Sequence, residues 1–178
     1  MAQTQPAMIQ NKKERNRVFW MLGITLIFLF ISIWYTVDSF SGTFHSRPFK
    51  HFFKEFGSYA RIAFFVVLAH YACTLILKRR YADRWQPLKK FMISLSRIAR
   101  QWHVPAAIAA VGVTLVHAVG AFLYGIKLDF SNVTGLLTIL IVLPLVISGV
   151  LRYKRMDKKW HWTFGIAFTV FFFLHSFL

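Results

Sequence analysis

Residues 101–126 read QWHVPAAIAAVGVTLVHAVGAFLYGI and residues 160–178 read WHWTFGIAFTVFFFLHSFL. Neither stretch contains an Asp, Glu, Lys or Arg, and each holds two histidines, His103 and His117 in the first, His161 and His175 in the second. About 20 apolar residues at roughly 1.5 Å per residue cross a hydrocarbon layer of about 30 Å. Residues 104–126 and 162–178 therefore predict membrane-spanning helices. Working outward, residues 18–37, 62–77 and 133–151 are further runs of the same kind. The expectation is an all-α integral membrane protein with five transmembrane helices in residues 18–178, preceded by a basic tail in residues 1–17. The first run is too long for the apolar part of a cleavable leader and lacks a small-residue cleavage site, so it reads as a signal anchor.

Charge sharpens this picture. The chain has 178 residues, 57% of them hydrophobic, with 22 Lys+Arg against 6 Asp+Glu. A formal charge of +16 would ordinarily suggest nucleic acid. Here the basic residues lie between apolar runs. The tail, the second connection and the fourth connection hold 17 of them, whereas the first and third connections hold Arg47, Lys50, Lys54, Arg61 and Lys127. The positive-inside rule then predicts a cytoplasmic N-terminus and an outer C-terminus in a multi-pass cell-membrane protein. No nucleic-acid partner is expected; membrane lipid is. Cys73 is alone, which excludes an intrachain disulfide and Cys-rich metal sites. It reads as a small apolar filler.

Two connections are amphipathic. Pro48 can open a short helix with Phe49, Phe52, Phe53 and Phe56 on one face, predicted to lie in the outer interface. On the inner side Leu88, Phe91, Met92, Leu95, Ile98 and Trp102 form a stripe opposite Lys89, Lys90, Arg97 and Arg100. That segment either lies on the membrane or extends the third helix, and it could anchor the chain or dock a redox partner.

The histidines suggest chemistry. His103 and His117 are fourteen positions apart, as are His161 and His175. Fourteen helical steps fall only about 40° short of four turns and rise about 21 Å, so each pair shares a face. Both helices run from inside to outside, which places His103 and His161 at the cytoplasmic boundary and His117 and His175 towards the outside. Two stacked bis-histidine sites suit two b-type haems, whose iron needs only two axial ligands. The other reading is structural: an intramembrane histidine can simply hydrogen-bond a neighbouring helix, and His103 and His161 can be boundary residues beside Trp102, Trp160 and Trp162. Zinc or copper would want more ligands at each depth. Ala107, Ala110, Thr114 and Ala121 form a small face between and beyond the first pair; Gly165, Phe168 and Phe172 lie between the second. Arg97, Arg100, Lys158 and Lys159 are candidate propionate partners for an inner haem, Arg61 and Lys127 for an outer one. Pro105 places His103 near a helix start or kink. His70, in the second span, reads first as a structural hydrogen-bonding residue, with a quinone contact, a further haem ligand or a proton relay as other roles. His45 and His51 read as solvated interfacial residues. Pro144, Ser148 and Gly149 mark a kink and close packing in the fourth span.

Paired histidines on the third and fifth spans resemble the ferric-reductase-like transmembrane superfamily, which includes the haem-binding membrane subunit of the bacterial methionine sulfoxide reductase system. The likeness runs from Gly135 to Leu178, through the basic stretch RYKRMDKKW of residues 152–160 and on to His161 and His175. It implies two b haems conducting electrons from an inner donor to an outer acceptor, as the membrane component of an oxidoreductase system. The spacing also resembles the quinol-oxidising cytochrome b of respiratory complexes. The residues in hand contain no flavin domain, so menaquinol or a separate cytoplasmic flavoprotein is the expected donor, with ferric iron, a reductase or a surface carrier as acceptor. The alternative from another class is a haem-free scaffold or small transporter subunit, which leaves the histidine spacing without a reason.

Overall fold

The computed structural model describes residues 9, 11–153 and 159–178, with the side chain of residue 153 left aside. Five α-helices are found among them: α1 Lys12–Phe40, α2 Arg47–Lys78, α3 Gln86–Tyr124, α4 Phe130–Tyr153 and α5 Lys159–Phe177. The described residues form no strand. Helices α1 to α4 are long and apolar enough to cross a membrane. Helix α5 has 19 residues, and two histidines with Trp160 and Trp162 temper its apolar character. The chain divides into two compact units, Lys13–Tyr124 with α1, α2 and α3, and Gly125–Leu178 with α4 and α5.

Helix α1 is built outside in. Its buried positions are Thr25, Ser32 and Thr36, while Trp20, Ile27, Phe30 and Trp34 are exposed. In water such an apolar face would seek cover; in lipid it is solvated. The inward hydroxyls are satisfied locally, for example Thr36 Oγ1 donating to the Ser32 carbonyl at 2.7 Å. In a medium without water, that i−4 bond removes the cost of an orphaned hydroxyl.

Helix α2 overturns one expectation. The Phe49–Phe56 segment is not a separate interfacial helix but the first turns of a single 32-residue helix. Ser46 caps it, its Oγ accepting the Phe49 amide at 3.3 Å, and Pro48 sits in the first turn where its missing N–H costs nothing. The amphipathic division itself stands: Phe49 and Phe53 are buried, whereas Lys50, His51, Lys54 and Glu55 are exposed. The buried face packs within the protein because Gly120 on α3 offers no Cβ where Phe53 arrives. Phe40, Phe49, Phe52 and Phe53 then form a chain of ring contacts at 5.1–5.6 Å.

Helix α2 ends in a Schellman motif. The Tyr81 amide donates to the Ile76 carbonyl and the Arg80 amide to Leu77, both at 3.2 Å. Arg80 occupies the left-handed position at φ 60°, where glycine is usual. Its Nε donates to Asp83 Oδ2 at 3.0 Å, and Lys89 Nζ reaches Asp83 Oδ1 at 2.8 Å, which holds the turn. These partners, Lys89 above all, keep the Asp83 carboxyl below its ordinary value of 3.8.

Helix α3 runs unbroken from the amphipathic segment of residues 88–102 into the apolar run, so that segment extends the third helix. Pro105, fully buried, removes one amide from the helix and so frees the Gln101 carbonyl. Arg17 of α1 reaches that carbonyl at 3.5 Å, and its guanidinium lies 5.6 Å from the Trp102 ring centre. Gly125, at φ 104°, ends α3. Helix α4 opens on Asp129, whose Oδ1 accepts the Asn132 amide at 2.8 Å.

Candidate cofactor site

Each of the four histidines singled out above rests on the helix beside it in its own unit. His117 Nδ1 lies 2.9 Å from the Phe53 carbonyl of α2, and His103 Nδ1 lies 3.2 Å from the Val67 carbonyl of the same helix. In the other unit His175 Nδ1 lies 2.9 Å from the Ser131 carbonyl and His161 Nδ1 3.2 Å from the Leu145 carbonyl, both on or beside α4. The accepting residues are themselves fourteen apart, 53 to 67 and 131 to 145, running opposite to the histidines. Each unit therefore contains an antiparallel helix pair with two carbonyl-seated rings.

A helix carbonyl has a second lone pair beyond the one used by its own i+4 amide. It can only accept, so each ring presents a protonated Nδ1 to it, which in the neutral imidazole leaves the lone pair on Nε2. At His161 the Ser148 hydroxyl joins in: its Oγ donates to the Leu145 carbonyl at 2.9 Å and lies 3.2 Å from Nδ1. An oriented neutral imidazole with a basic Nε2 is the form that metal-binding histidines take, its other nitrogen held by a carbonyl. In its chemistry this donor set fits haem, whose iron His103, His117, His161 and His175 would hold. Among the described residues no group of three or more His, Cys, Asp or Glu converges on a point that would hold a bare metal ion.

Glycines lie against three of these rings. A Cβ at Gly57 would stand 2.8 Å from His117 Cε1, and one at Gly135 would stand 2.8 Å from His175 Cε1. At Gly149 the corresponding distance to His161 Cε1 is 3.3 Å. Each glycine is four residues beyond the accepting carbonyl, one turn along the helix. The fourth position of the pattern is Tyr71, whose ring makes an edge contact with His103 at 5.6 Å. These glycines were not singled out as histidine neighbours from sequence, although Gly135 and Gly149 repeat the fourteen-residue interval of His161 and His175. At Gly165, expected to open space beside the inner site, an added Cβ would stand 3.9 Å from Leu145 Cδ1 of α4, an ordinary contact.

The other expected residues distribute as follows. Ala110 is fully buried, and Ala107, Thr114 and Ala121 are half-buried; Thr114 donates to the Ala110 carbonyl at 2.8 Å. Phe168 and Phe172 are buried and stack on each other at 5.7 Å. Arg97 and Arg100 are exposed and line a pocket of about 500 Å³ with Leu77, Ile93, Ser96 and Gln101. Lys159 and Lys127 are exposed and Arg61 is half-exposed; Lys158 lies outside the described residues. His70 is half-buried with its ring 5.9 Å from that of His103 of α3. His45 and His51 are exposed, His45 on the Tyr124 carbonyl at 2.8 Å and His51 beside Glu55 at 3.2 Å. Comparison of the chain with known proteins finds no matching family model, no matching curated protein and no matching solved structure.

Proposed function

We propose that this multi-pass membrane protein is a di-haem cytochrome b that conducts electrons across the membrane. The observation that carries the proposal is the uniform seating of His103, His117, His161 and His175, each with Nδ1 on a helix carbonyl. It adds a chemical reason to the spacing, because it gives all four rings the tautomer an axial ligand needs. A haem-free scaffold could use the carbonyl seats to join neighbouring helices, but it has no use for the matched fourteen-residue spacing in both pairs.

In this reading α5 is the fifth span, the N-terminus is cytoplasmic and the C-terminus lies outside, following the distribution of Lys and Arg. Depth along the sequence pairs His103 with His161 for an inner haem and His117 with His175 for an outer one. Bound haem supplies one-electron chemistry between ferrous and ferric iron. The chain's own part is to hold four imidazoles oriented by their Nδ1 bonds, and to keep water from them with apolar helices. Arg100 and Lys159 serve the inner propionates. The basic inner surface attracts either an acidic flavoprotein donor or anionic lipid, and menaquinol is the donor that needs no protein partner. The chain acts as the electron-transfer component of an oxidoreductase system, similar to ferric-reductase-like membrane domains, and passes electrons to an acceptor outside.

A pyridine haemochrome assay on the purified protein tests the proposal. About two b haems per chain are expected; a colourless protein without a Soret band overturns it. Rapid mixing of the oxidised protein with menaquinol, and separately with reduced flavoproteins, then identifies the donor class.

A further inference from the structure

We infer that Gly57, Gly135 and Gly149 are positioning residues, which set how close His117, His175 and His161 lie to the neighbouring helix and thereby where each Nε2 points. The inference deepens the proposed haem function and rests on it for its consequence at the cofactor, but the seating itself belongs to the polypeptide alone.

Two independent observations meet at each glycine. The first is the bond from Nδ1 to the carbonyl one helical turn earlier, Phe53 for Gly57, Ser131 for Gly135 and Leu145 for Gly149. The second is the space a methyl group would need. At Gly57 an added Cβ would stand 2.8 Å from Cε1 and 2.9 Å from Nδ1 of His117, and at Gly135 it would stand 2.8 Å and 3.0 Å from the same atoms of His175. Real carbon atoms do not approach so closely, so a ring could keep its carbonyl bond only by rotating or lifting. At Gly149 the distances are 3.3 Å and 3.5 Å, which a small movement of His161 relieves.

The rest of the molecule supplies controls. Among the described residues, Gly23 has nothing within 4 Å of an added Cβ, and Gly165 finds only Leu145 Cδ1 at 3.9 Å. Alanine is a better helix former than glycine, so at open sites the exchange disturbs nothing. Bis-histidine haem reports ring orientation through its low-spin spectrum and through its potential, both of which depend on the axial ligands and their hydrogen bonds. A displaced ring would therefore alter one haem and leave the other as it was.

The test uses the full chain with Gly57→Ala, Gly135→Ala, Gly149→Ala and Gly23→Ala. In haem-free protein labelled with ¹⁵N-histidine, the wild type should show Nδ1–H rings. Gly57→Ala should shift the His117 signals and Gly135→Ala those of His175. Gly149→Ala should produce a smaller shift at His161, and Gly23→Ala none. In haem-loaded protein, Gly57→Ala and Gly135→Ala should each change one of two low-spin electron paramagnetic resonance signals or lose up to half of the haem. Unshifted His117 and His175 signals in those two variants overturn the inference. A wild type with seated rings and no b haem overturns the proposed function and leaves the seating standing. Should Gly57→Ala fail to fold, the double variant Gly57→Ala/His117→Ala should fold, since the ring that meets the methyl is gone. Failure of both, with His117→Ala alone folded, also overturns the inference.

Discussion

The α2–α3 pair and the α4–α5 pair hold their histidines in the same way with different material. In both, two rings fourteen residues apart meet carbonyls fourteen residues apart on the antiparallel neighbour. Around them the pairs diverge. The α2–α3 pair uses helices of 32 and 39 residues and buries Phe49, Phe53 and Phe64, whereas α4–α5 uses 24 and 19 residues and buries Thr134, Thr138 and Ser148 on α4 as well as Phe168 and Phe172 on α5. Both α4–α5 rings have a glycine beneath them; in α2–α3 only His117 does, and Tyr71 flanks His103. The carbonyl is the common element. The glycine governs how closely a ring approaches, and at His103 aromatic neighbours take its place.

The comparison breaks most visibly if the two outer histidines are not equivalent. His117→Ala and His175→Ala are each expected to remove one haem of two, leaving the inner haem spectrum largely intact, as read by haemochrome content and low-temperature spectra. Retention of both haems in both variants would refute the pairing. A second prediction separates the two pairs by packing. Gly120→Ala would drive a methyl into Phe53 and should destabilise the α2–α3 unit by about 1–3 kcal/mol. Gly165→Ala, with ordinary contact to Leu145, should change stability by less than about 1 kcal/mol, in the stabilising direction. Unfolding in mixed detergent micelles measures both.

How far the amino-acid sequence announces this arrangement depends on the kind of partner each residue has. Spans declare themselves through long charge-free runs, and the histidine register follows from counting. The seats were harder to read, because a main-chain carbonyl is present at every residue and nothing in its identity marks Phe53 or Ser131. Their trace is indirect, in Gly135 and Gly149 matching the interval of the α5 histidines. The outer Phe49–Phe56 segment misled for a related reason: an amphipathic face packed on another helix has the same pattern as one floating on lipid. Gly120, the residue that admits Phe53, lies 67 positions away in the chain.

Smaller effects distinguish what lies at the end of the unit where α2 turns into α3. Arg17→Ala should cost about 0.5–1 kcal/mol through loss of the donor to Gln101, again measured by detergent unfolding, with no change in haem content. The weakest effect concerns the α2–α3 turn. Because Asp83 is held ionised by Lys89 and Arg80, its contribution is present above the ordinary carboxylate value of 3.8 and is lost as pH falls through the lower folded value. Asp83→Asn should flatten that acid limb slightly; an unchanged melting profile below pH 4 would show the ion pairs to be inert. The α4–α5 unit should be indifferent to it.

The doubled interval has a consequence for insertion and assembly. A helix that slides by one residue along its neighbour moves about 1.5 Å and turns about 100°, so a slipped α5 would unseat His161 and His175 together. Two rings four turns apart thus act as a gauge that accepts one alignment of the hairpin and rejects its neighbours. A single residue inserted between them would leave the gauge unable to close at both ends. The register of the α4–α5 hairpin is thus held by contacts of the polypeptide alone.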